Sequence, residues 1–327
     1  MPRAIAFIAA AGLLLPAAPA SAQNIKYEPT AGVQTFAVRE PVLRIKPGAT
    51  VETRTFTRPG DYYDPKTAGP WPGEVGPFHI EGAEPGDQLV VRVLRLRPNQ
   101  DVAISNVTPG GISGVAADSR TRLLNDPLPP RRFVWRLDRT RSVGVIDLPN
   151  SRVKQLEIRL RPMLGRVATA PAGQEAFGGL WPGDFGGNMD ASDVTEGVTV
   201  YLPVFHPGGL FYFGDFHAAQ GDGEIAGSGL ESTADVTFQF DLIKNKRIRW
   251  PRLENSEHIM VAGSQRPLID AFRIAYVELI EWLVADYGFD KMEAYQVASQ
   301  VGVVRIANVV DPHYTVIAKF PKSLLTR

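Results

Sequence analysis

The chain has 327 residues, and its 35 basic and 35 acidic side chains cancel, which argues against a basic face for nucleic acid. It contains no cysteine, so disulfide bonds, thiol nucleophiles and cysteine-ligated zinc are excluded. We therefore expect a fold that is held together by its apolar core alone.

The first 22 residues have the layout of a secretory signal peptide. Arg3 supplies a positive charge, residues 4–15 form an apolar run, and Ala20-Ser21-Ala22 is a small-x-small cleavage site. The apolar run is short for a transmembrane helix, which disfavours the alternative of an uncleaved membrane anchor. We expect cleavage after Ala22, a periplasmic or secreted location, and a mature domain over residues 23–327 with no membrane association.

Most of the mature chain shows the alternating pattern of antiparallel β-strands. Apolar and polar residues alternate over residues 133–137, 156–161, 198–202 and 236–242. A period of two gives each strand one buried face and one solvent-exposed face. Gly and Pro are dense between these runs, as turns require. The pattern predicts a mainly β fold, a β-sandwich-like pair of antiparallel sheets.

Two helices are predicted near the C-terminus. Apolar residues recur at helical spacing over residues 269–283, between Pro267, which suits a helix start, and Gly288, which suits a helix end. Asp290 and Glu293 are three residues apart, the spacing of a capping box at the start of a second helix. Both are interpreted as packing helices that carry no site.

Several side chains that bind metals follow the apolar strand predicted over residues 210–213. Asp215 and His217 are two residues apart, so in extended backbone both side chains point to one face. Asp222 and Glu224 have the same spacing, and the glycines beside them allow close approach of the backbone. Imidazole and carboxylate groups together suit zinc or another borderline divalent metal. A surface turn and a calcium-binding loop are the alternatives, although calcium prefers all-oxygen ligands.

The segments GGNMD and GDFHAAQGDGE, within residues 186–232, closely resemble the signature region of the acetamidase/formamidase family. The upstream segment GPFHIEGAEPGDQL, which begins at Gly76, and the part from Pro267 to Pro321 are also similar to this family. The resemblance implies a β-sandwich-like fold, a homo-oligomer, and hydrolysis of small linear amides, such as acetamide or formamide, to a carboxylate and ammonia. It also implies a divalent metal cofactor, with zinc as the first choice and calcium as the alternative.

The resemblance assigns roles to individual residues. The predicted metal ligands are Asp190, Asp215, His217 and Asp222, the candidate catalytic residues are Glu81 and Glu224, and the candidate substrate-binding residues are Asn188 and Gln220. Glu81 is the candidate general base because it interrupts the apolar start of a strand within the matching motif, with Glu224 as the alternative base. A structural or supporting role is the alternative for Glu81, and spacing does not decide which carboxylates are ligands and which is the base. The metal is expected to polarise the amide carbonyl and to lower the pKa of bound water.

Two other functions fit the same residues. One is an exported, non-catalytic protein of the same fold that binds a metal or another ligand, and the other is a hydrolase of lactams or other amides. A catalytic metal site keeps an open coordination position in a pocket, whereas a structural site is closed. The geometry of the site therefore distinguishes the enzyme from the binding protein.

Overall fold

The computed structural model describes residues 23–107, 114–115 and 128–325. The predicted signal peptide, residues 1–22, lies outside these residues, so its cleavage stays a prediction. Within the described ranges, no helix combines the length and the apolar character needed to cross a membrane.

The first large sheet has nine strands among the described residues, and strands are numbered here in chain order. They are β1 (Asn24–Lys26), β4 (Thr50–Arg54), β6 (Gln88–Pro98), β15 (Thr199–Pro203), β18 (Ala234–Ile243), β19 (Arg252–Glu254), β20 (His258–Gln265), β21 (Val303–Asn308) and β22 (Tyr314–Pro321). Their spatial order is β1-β4-β18-β6-β15-β19-β20-β22-β21. Only β1 and β4 pair in parallel within this sheet, as far as the described residues extend.

The second large sheet has eleven strands among the described residues. They are β3 (Leu43–Ile45), β5 (Val75–Ile80), β7 (Val102–Val107), β8 (Arg131–Asp138), β9 (Val143–Asp147), β10 (Gln155–Arg159), β11 (Met163–Ala168), β13 (Pro182–Gly183), β14 (Gly186–Asn188), β16 (Phe211–His217) and β17 (Glu231–Ser232). Nine follow the order β10-β9-β8-β7-β17-β16-β11-β14-β13, while β5 pairs with β16 and β3 with β5. A separate two-stranded ribbon joins β2 (Thr35–Phe36) and β12 (Phe177–Gly178).

The two large sheets pack face to face through an aromatic core. Phe213 of β16 meets Phe238 of β18 edge to face, with ring centroids 4.9 Å apart, and Phe211 meets Phe240 at 5.2 Å. All four rings are fully buried. The alternation read from residues 236–242 matches the alternation of burial along β18. The predicted mainly β, sandwich-like architecture with antiparallel sheets is therefore confirmed.

The two predicted C-terminal helices are present as well. They are α1 (Leu268–Tyr287) and α2 (Lys291–Val301), and a 3₁₀ helix (Lys322–Leu324) follows β22. Gly288 ends α1 in the left-handed conformation, with φ of 70°. The Asp290 carboxylate accepts hydrogen bonds from the backbone N–H groups of Met292 and Glu293 at the start of α2. Because α1 packs against β20 and β22, these are packing helices, as predicted.

Candidate active site

Asp215 and His217 lie together near the end of strand β16. The sequence predicts that this strand ends near Asp215, whereas it continues to His217. Both side chains are buried, and Nε2 of His217 lies 3.3 Å from Oδ1 of Asp215. The two side chains thus lie together, as their spacing predicts, although Asp215 has a left-handed φ of 55° rather than extended backbone.

Glu231 joins this pair from the neighbouring strand β17. It lies directly opposite His217 in the strand register, and its Oε2 is 3.1 Å from Nε2 of His217. Its other oxygen accepts hydrogen bonds from the backbone N–H of Gly229 at 3.0 Å and the hydroxyl of Ser228 at 3.2 Å. Glu231 was missed because no spacing rule connects it to His217; only the strand pairing does.

Asn188 links the carboxylates on the other side of the site. Arg166 of β11 donates a hydrogen bond from Nε to Oδ1 of Asn188 at 2.5 Å. The amide nitrogen of Asn188 donates to Asp190 and to Asp311, each at 2.7 Å. All four residues are buried. Asn188, a candidate substrate-binding residue, therefore has both ends of its amide engaged in holding its charged neighbours.

Arg166 is the fixed cation of the site. Its Nη1 donates to Oε1 of Glu74 at 2.5 Å, and its Nε lies 3.3 Å from Oδ2 of Asp215. The guanidinium carbon lies 4.3 Å from the ring centroid of Trp71, whose Nε1 donates to the same Glu74 oxygen at 3.2 Å. The sequence signal that could have identified Arg166 is a single charged residue within an otherwise apolar strand, β11, which is buried along its whole length.

Glu224 and Asp311 enter the site from two loops. Both are buried, and both line the same cavity as Asp190 and Asp215. Glu224 was a candidate in the sequence, whereas Asp311 was not. Asp311 comes from the turn between β21 and β22, far along the chain, and only the fold brings it near.

Asp222 does not reach the buried site, which corrects its assignment as a metal ligand. Its side chain is 59% exposed, and it forms an ion pair with Arg305 at 2.9 Å. A tight turn, in which the N–H of Glu224 donates to the carbonyl of Gly221 at 3.2 Å, separates its environment from that of Glu224. A spacing of two places side chains on one face only in extended backbone.

Glu81 also lies outside the site, which corrects its assignment as the candidate general base. It is exposed in the turn after β5, where its N–H donates to the carbonyl of Ile45 at 2.8 Å. It is not among the residues that line the cavity. A general base must be within reach of the reacting water, so the base must be sought among the buried carboxylates.

Gln220 contacts His217 and does not face the cavity of the site. Its amide nitrogen donates to the backbone carbonyls of Asp190 at 2.7 Å and Ala307 at 3.1 Å. Its amide oxygen therefore faces Nδ1 of His217, at 2.8 Å, and accepts the proton of that nitrogen. Gln220, a candidate substrate-binding residue, does not line the cavity and instead orients the imidazole.

The site concentrates negative charge in the protein interior. Among the described residues, its carboxyl groups are those of Glu74, Asp190, Asp215, Glu224, Glu231 and Asp311, beside the guanidinium of Arg166 and the imidazole of His217. Burial, followed by repulsion from Asp311 and Asp215, raises the pKa of Asp190 well above its ordinary value. Burial and the charge of Asp190 likewise raise the pKa of Glu224. Burial, with the charge of Glu224, raises the pKa of Asp311 to about 7.

The pKa of Asp215 shifts in the opposite direction to the pKa values of those carboxyls, whereas the pKa of His217 rises. Burial raises the pKa of Asp215, but the charges of Arg166 and His217 outweigh burial and lower it to about 2. Burial lowers the pKa of His217, but the charges of Glu231 and Asp215 outweigh burial and raise it well above its ordinary value. In metal-free protein a proton therefore occupies Nε2 between the two carboxylates, and a metal cation would compete for that position.

The donor atoms of the site fit a divalent metal. Nε2 of His217 and Oδ1 of Asp190 are buried and make no hydrogen bond. Asp190, His217 and Glu224 offer ligand atoms within 4.8 Å of one another, and Asp215, His217 and Glu231 offer a second such set. Imidazole and carboxylates are the ligands of zinc and similar cations, and a cation here would satisfy the unpaired atoms.

Three of the carboxylate residues have a backbone conformation that side-chain-bearing residues adopt at a cost. The φ angles of Asp190, Asp215 and Glu224 are 45°, 55° and 48°. Gly165 makes room for two of them, because a Cβ at this position would lie 2.4 Å from Oδ1 of Asp190 and 2.7 Å from Oδ2 of Asp215. Such local strain concentrates at binding and catalytic sites.

A cavity of about 430 Å³ leads from the surface to these groups. Its floor consists of the buried side chains of Arg166, Asn188, Asp190, Asp215, Glu224, Glu231 and Asp311. Its rim consists of the partly exposed residues Gln34, Tyr62, Trp71, Leu180, Trp181 and Pro312. The groups that could hold a metal thus lie at the base of an accessible cavity, an arrangement that a catalytic metal site requires and a closed structural site lacks.

Known proteins share this fold and are similar to this chain in sequence. A model of the Acetamidase/Formamidase family matches residues 165–326. A solved structure of acetamidase from Yersinia enterocolitica superposes with a TM-score of 0.82 and 37% sequence identity, covering 94% of each chain. This chain belongs to the acetamidase/formamidase family. The resemblance read from residues 186–232 is thereby confirmed.

Other acetamidase/formamidase family members extend the comparison. The structure of an acetamidase from Bacillus halodurans has a TM-score of 0.76 and 26% identity, covering 91% of this chain and 97% of the other. The formamidase of Methylophilus methylotrophus is 28% identical over 214 residues, which is 52% of this chain and 51% of that protein. The chain thus spans about half the length of the curated relatives it matches.

Proposed function

We propose that this chain is a metal-dependent hydrolase of the C–N bond of amides, which releases ammonia and a carboxylate. The observation that carries the proposal is the position of Nε2 of buried His217, which faces the carboxylates of Asp215 and Glu231 at the floor of an accessible cavity. Membership of the acetamidase/formamidase family supports it, since relatives of this family are named acetamidase and formamidase.

The metal would be held by Asp215, His217 and Glu231, with Asp190 as a further ligand. These groups supply one imidazole and several carboxylates, a set that suits zinc, with calcium as a weaker alternative because of the imidazole. When bound, a divalent ion supplies Lewis-acid activation of the amide carbonyl and of a water molecule.

Glu224 is the proposed general base. It is buried, it lines the cavity, and its raised pKa suits a group that accepts and returns a proton near neutral pH. Glu224 takes a proton from the attacking water while the water oxygen bonds to the amide carbon. Glu224 then gives that proton to the nitrogen as the C–N bond breaks, so that water and amide become carboxylic acid and ammonia.

Arg166 and Asn188 hold the reacting groups in position. Arg166 lies against Asp215 and Glu74, and through its bond to Asn188 it also fixes Asp190 and Asp311. The charge of Arg166 helps to keep Asp215 ionised, as a metal ligand must be. Preorganisation of this kind avoids rearrangement during the reaction.

Metal content and ammonia release test the proposal together. Purified protein should contain a divalent metal and release ammonia from acetamide or formamide. His217→Ala should lose both metal and activity, whereas His206→Ala, which removes a histidine that contacts the carbonyl of Pro171 outside the site, should lose neither. A protein that holds its metal but releases ammonia from no amide would instead be the non-catalytic binding protein.

A further inference from the structure

The floor and the rim of the cavity differ in chemistry. The floor is built of charged and amide side chains, whereas the rim presents the rings of Tyr62, Trp71 and Trp181 together with Leu180 and Pro312. The rim also includes Gln34, whose amide nitrogen donates to the carbonyl of Trp71 at 2.7 Å. Among the described rim residues none is charged. The hydroxyl of Tyr62 already accepts a hydrogen bond from Asn106 at 2.8 Å. The rim therefore offers a ligand mainly apolar and aromatic surface.

The two tryptophans of the rim are held in place without a ligand. The Trp71 ring is fixed by its hydrogen bond to Glu74 and by its contact with Arg166. The Trp181 ring packs edge to face on His313, with centroids 5.2 Å apart, yet 37% of Trp181 stays exposed. Rigid aromatic surface left exposed beside a cavity is suited to an apolar partner.

The size of the cavity also favours a ligand larger than acetamide. A volume of about 430 Å³ lies within the range of roughly 300–1,000 Å³ for pockets that enclose drug-sized ligands. Acetamide has only about four non-hydrogen atoms and would leave most of this space to water. A site built for the smallest amides would need neither the volume nor the aromatic rim.

We propose that the preferred substrates are neutral primary amides that carry an apolar substituent of aromatic size, which contacts Trp71, Leu180 and Trp181 while the amide lies at the floor. The proposal rests on the amide hydrolase function proposed above. Anionic substrates are disfavoured because the floor already holds an excess of carboxylates.

Comparison of acetamide with 2-phenylacetamide tests the proposal. Both are primary amides and release ammonia, so a single assay measures both. Burial of a phenyl group against the rim should raise kcat/KM roughly 10- to 100-fold over acetamide. Equal or lower kcat/KM for 2-phenylacetamide would overturn the substrate proposal while leaving the amide hydrolase intact. Release of ammonia from neither of these amides nor from formamide would overturn the hydrolase, and with it the substrate proposal.

The variant Trp181→Ala tests whether the rim causes the preference for 2-phenylacetamide over acetamide. The ratio of kcat/KM for 2-phenylacetamide to that for acetamide should fall about tenfold in this variant. Phe272→Ala is the matched control, because Phe272 is 38% exposed but lies on α1, away from the cavity. An unchanged ratio in Trp181→Ala would overturn the role of the rim.

Product binding gives a second measurement that does not depend on the variant folding. Titration calorimetry of the unaltered metal-loaded protein should show that phenylacetate binds at least about tenfold more tightly than acetate. Both products carry the same carboxylate, so the difference measures the apolar contact alone. Equal affinities would overturn the proposal.

Discussion

At the scale of single residues, Gln220 determines which nitrogen of His217 faces the acidic groups. Its amide nitrogen is committed to two backbone carbonyls, so its oxygen must accept the proton on Nδ1. The lone pair of Nε2 is then free for a cation once the second proton leaves. A residue without any direct contact to substrate thus prepares the ligand.

Replacement of Gln220 by Leu should lower metal affinity roughly 10- to 100-fold, the usual effect of losing a group that orients a metal ligand. Leu has similar size but no acceptor for the Nδ1 proton. Metal titration with a competing chelator measures the effect. Asp222→Asn is the control, because Asp222 is exposed and paired with Arg305. Unaltered affinity in Gln220→Leu would mean that the orientation of His217 is set elsewhere.

The two candidate bases, Glu81 and Glu224, are distinguished by replacement with Gln. Glu224→Gln should retain metal and lose roughly a hundred-fold in turnover of acetamide, because the proton acceptor is gone. Glu81→Gln should keep wild-type turnover, because Glu81 is exposed outside the cavity. Ammonia release and metal content are the measurements. Loss of metal in Glu224→Gln would instead make Glu224 a ligand.

Sequence spacing predicted the residues that share one strand and failed for the others. Asp215 and His217 meet within the single strand β16, although Asp215 has a left-handed φ of 55°, whereas the turn at Gly221 separates Asp222 from Glu224. Glu74, Glu231 and Asp311 enter the site through strand pairing or distant loops. No local pattern records such contacts, since they depend on the register between segments far apart in the chain.

At the scale of secondary-structure elements, β15 and β18 alternate in burial as predicted, whereas β10 is mostly exposed, and the buried face of α1 differs from the apolar stripe predicted over residues 269–283. Ile269 and Phe272 are exposed, while Ala271 and Ala275 face the sheet. The reason is close packing: a Cβ on Gly263 of β20 would lie 2.4 Å from the carbonyl oxygen of Ala271. Small residues on both elements let the helix approach the sheet, which hydrophobicity alone does not reveal.

Gly263→Ala should therefore destabilise the protein by roughly 1–3 kcal/mol, the typical cost of forcing extra volume into a packed interior. The added methyl would meet backbone atoms of α1, which cannot move aside without shifting the helix. Urea unfolding measures the change in the free energy of unfolding. Gly221→Ala serves as a control, because no atom lies within 4 Å of a Cβ there and its φ is ordinary. Equal stability of both variants would refute this account of the helix–sheet contact.

At the scale of the whole molecule, composition and motifs identified the β-sandwich and the family, because both are encoded in many residues at once. The cavity was not predictable, since its floor joins side chains from β11, β14, β16, β17 and several loops. Its rim adds Trp71 and Trp181, which no pattern of spacing relates to each other. Assembly into a homo-oligomer stays a prediction.

Export is a further prediction for the whole protein. The layout of residues 1–22 predicts that the protein isolated from outside the cytoplasm of its host begins at Gln23. N-terminal sequencing of that material checks the cleavage position. An intact terminus at Met1 or Pro2 would contradict export with cleavage after Ala22.

The buried charge of the site should also govern how stability depends on pH. Folding raises the pKa of Asp311 from 3.8 to about 7, so between these values the folded protein holds a proton that the unfolded chain has lost. Stability from this group is complete below about pH 4 and is lost as the pH rises through about 7. The loss is on the order of 4 kcal/mol if the group acts alone, and the raised pKa values of Asp190, Glu224 and His217 act in the same direction.

Metal-free protein, prepared with a chelator, should therefore have a lower free energy of unfolding at about pH 7.5 than at about pH 4.5. Asp311→Asn should reduce this difference in the free energy of unfolding, because an amide stays neutral at both pH values. Asp222→Asn should leave the difference unchanged. Added zinc should reduce the decrease in the free energy of unfolding at the higher pH. Its ligands must lose their protons before they bind it, and it binds only the folded site tightly. Urea unfolding at the two pH values, with and without zinc, measures all three effects. If the metal-free protein instead gained stability as the pH rises, the carboxyls of the floor would be ionised without a cation. The electrostatic argument for a metal at His217 would then fail.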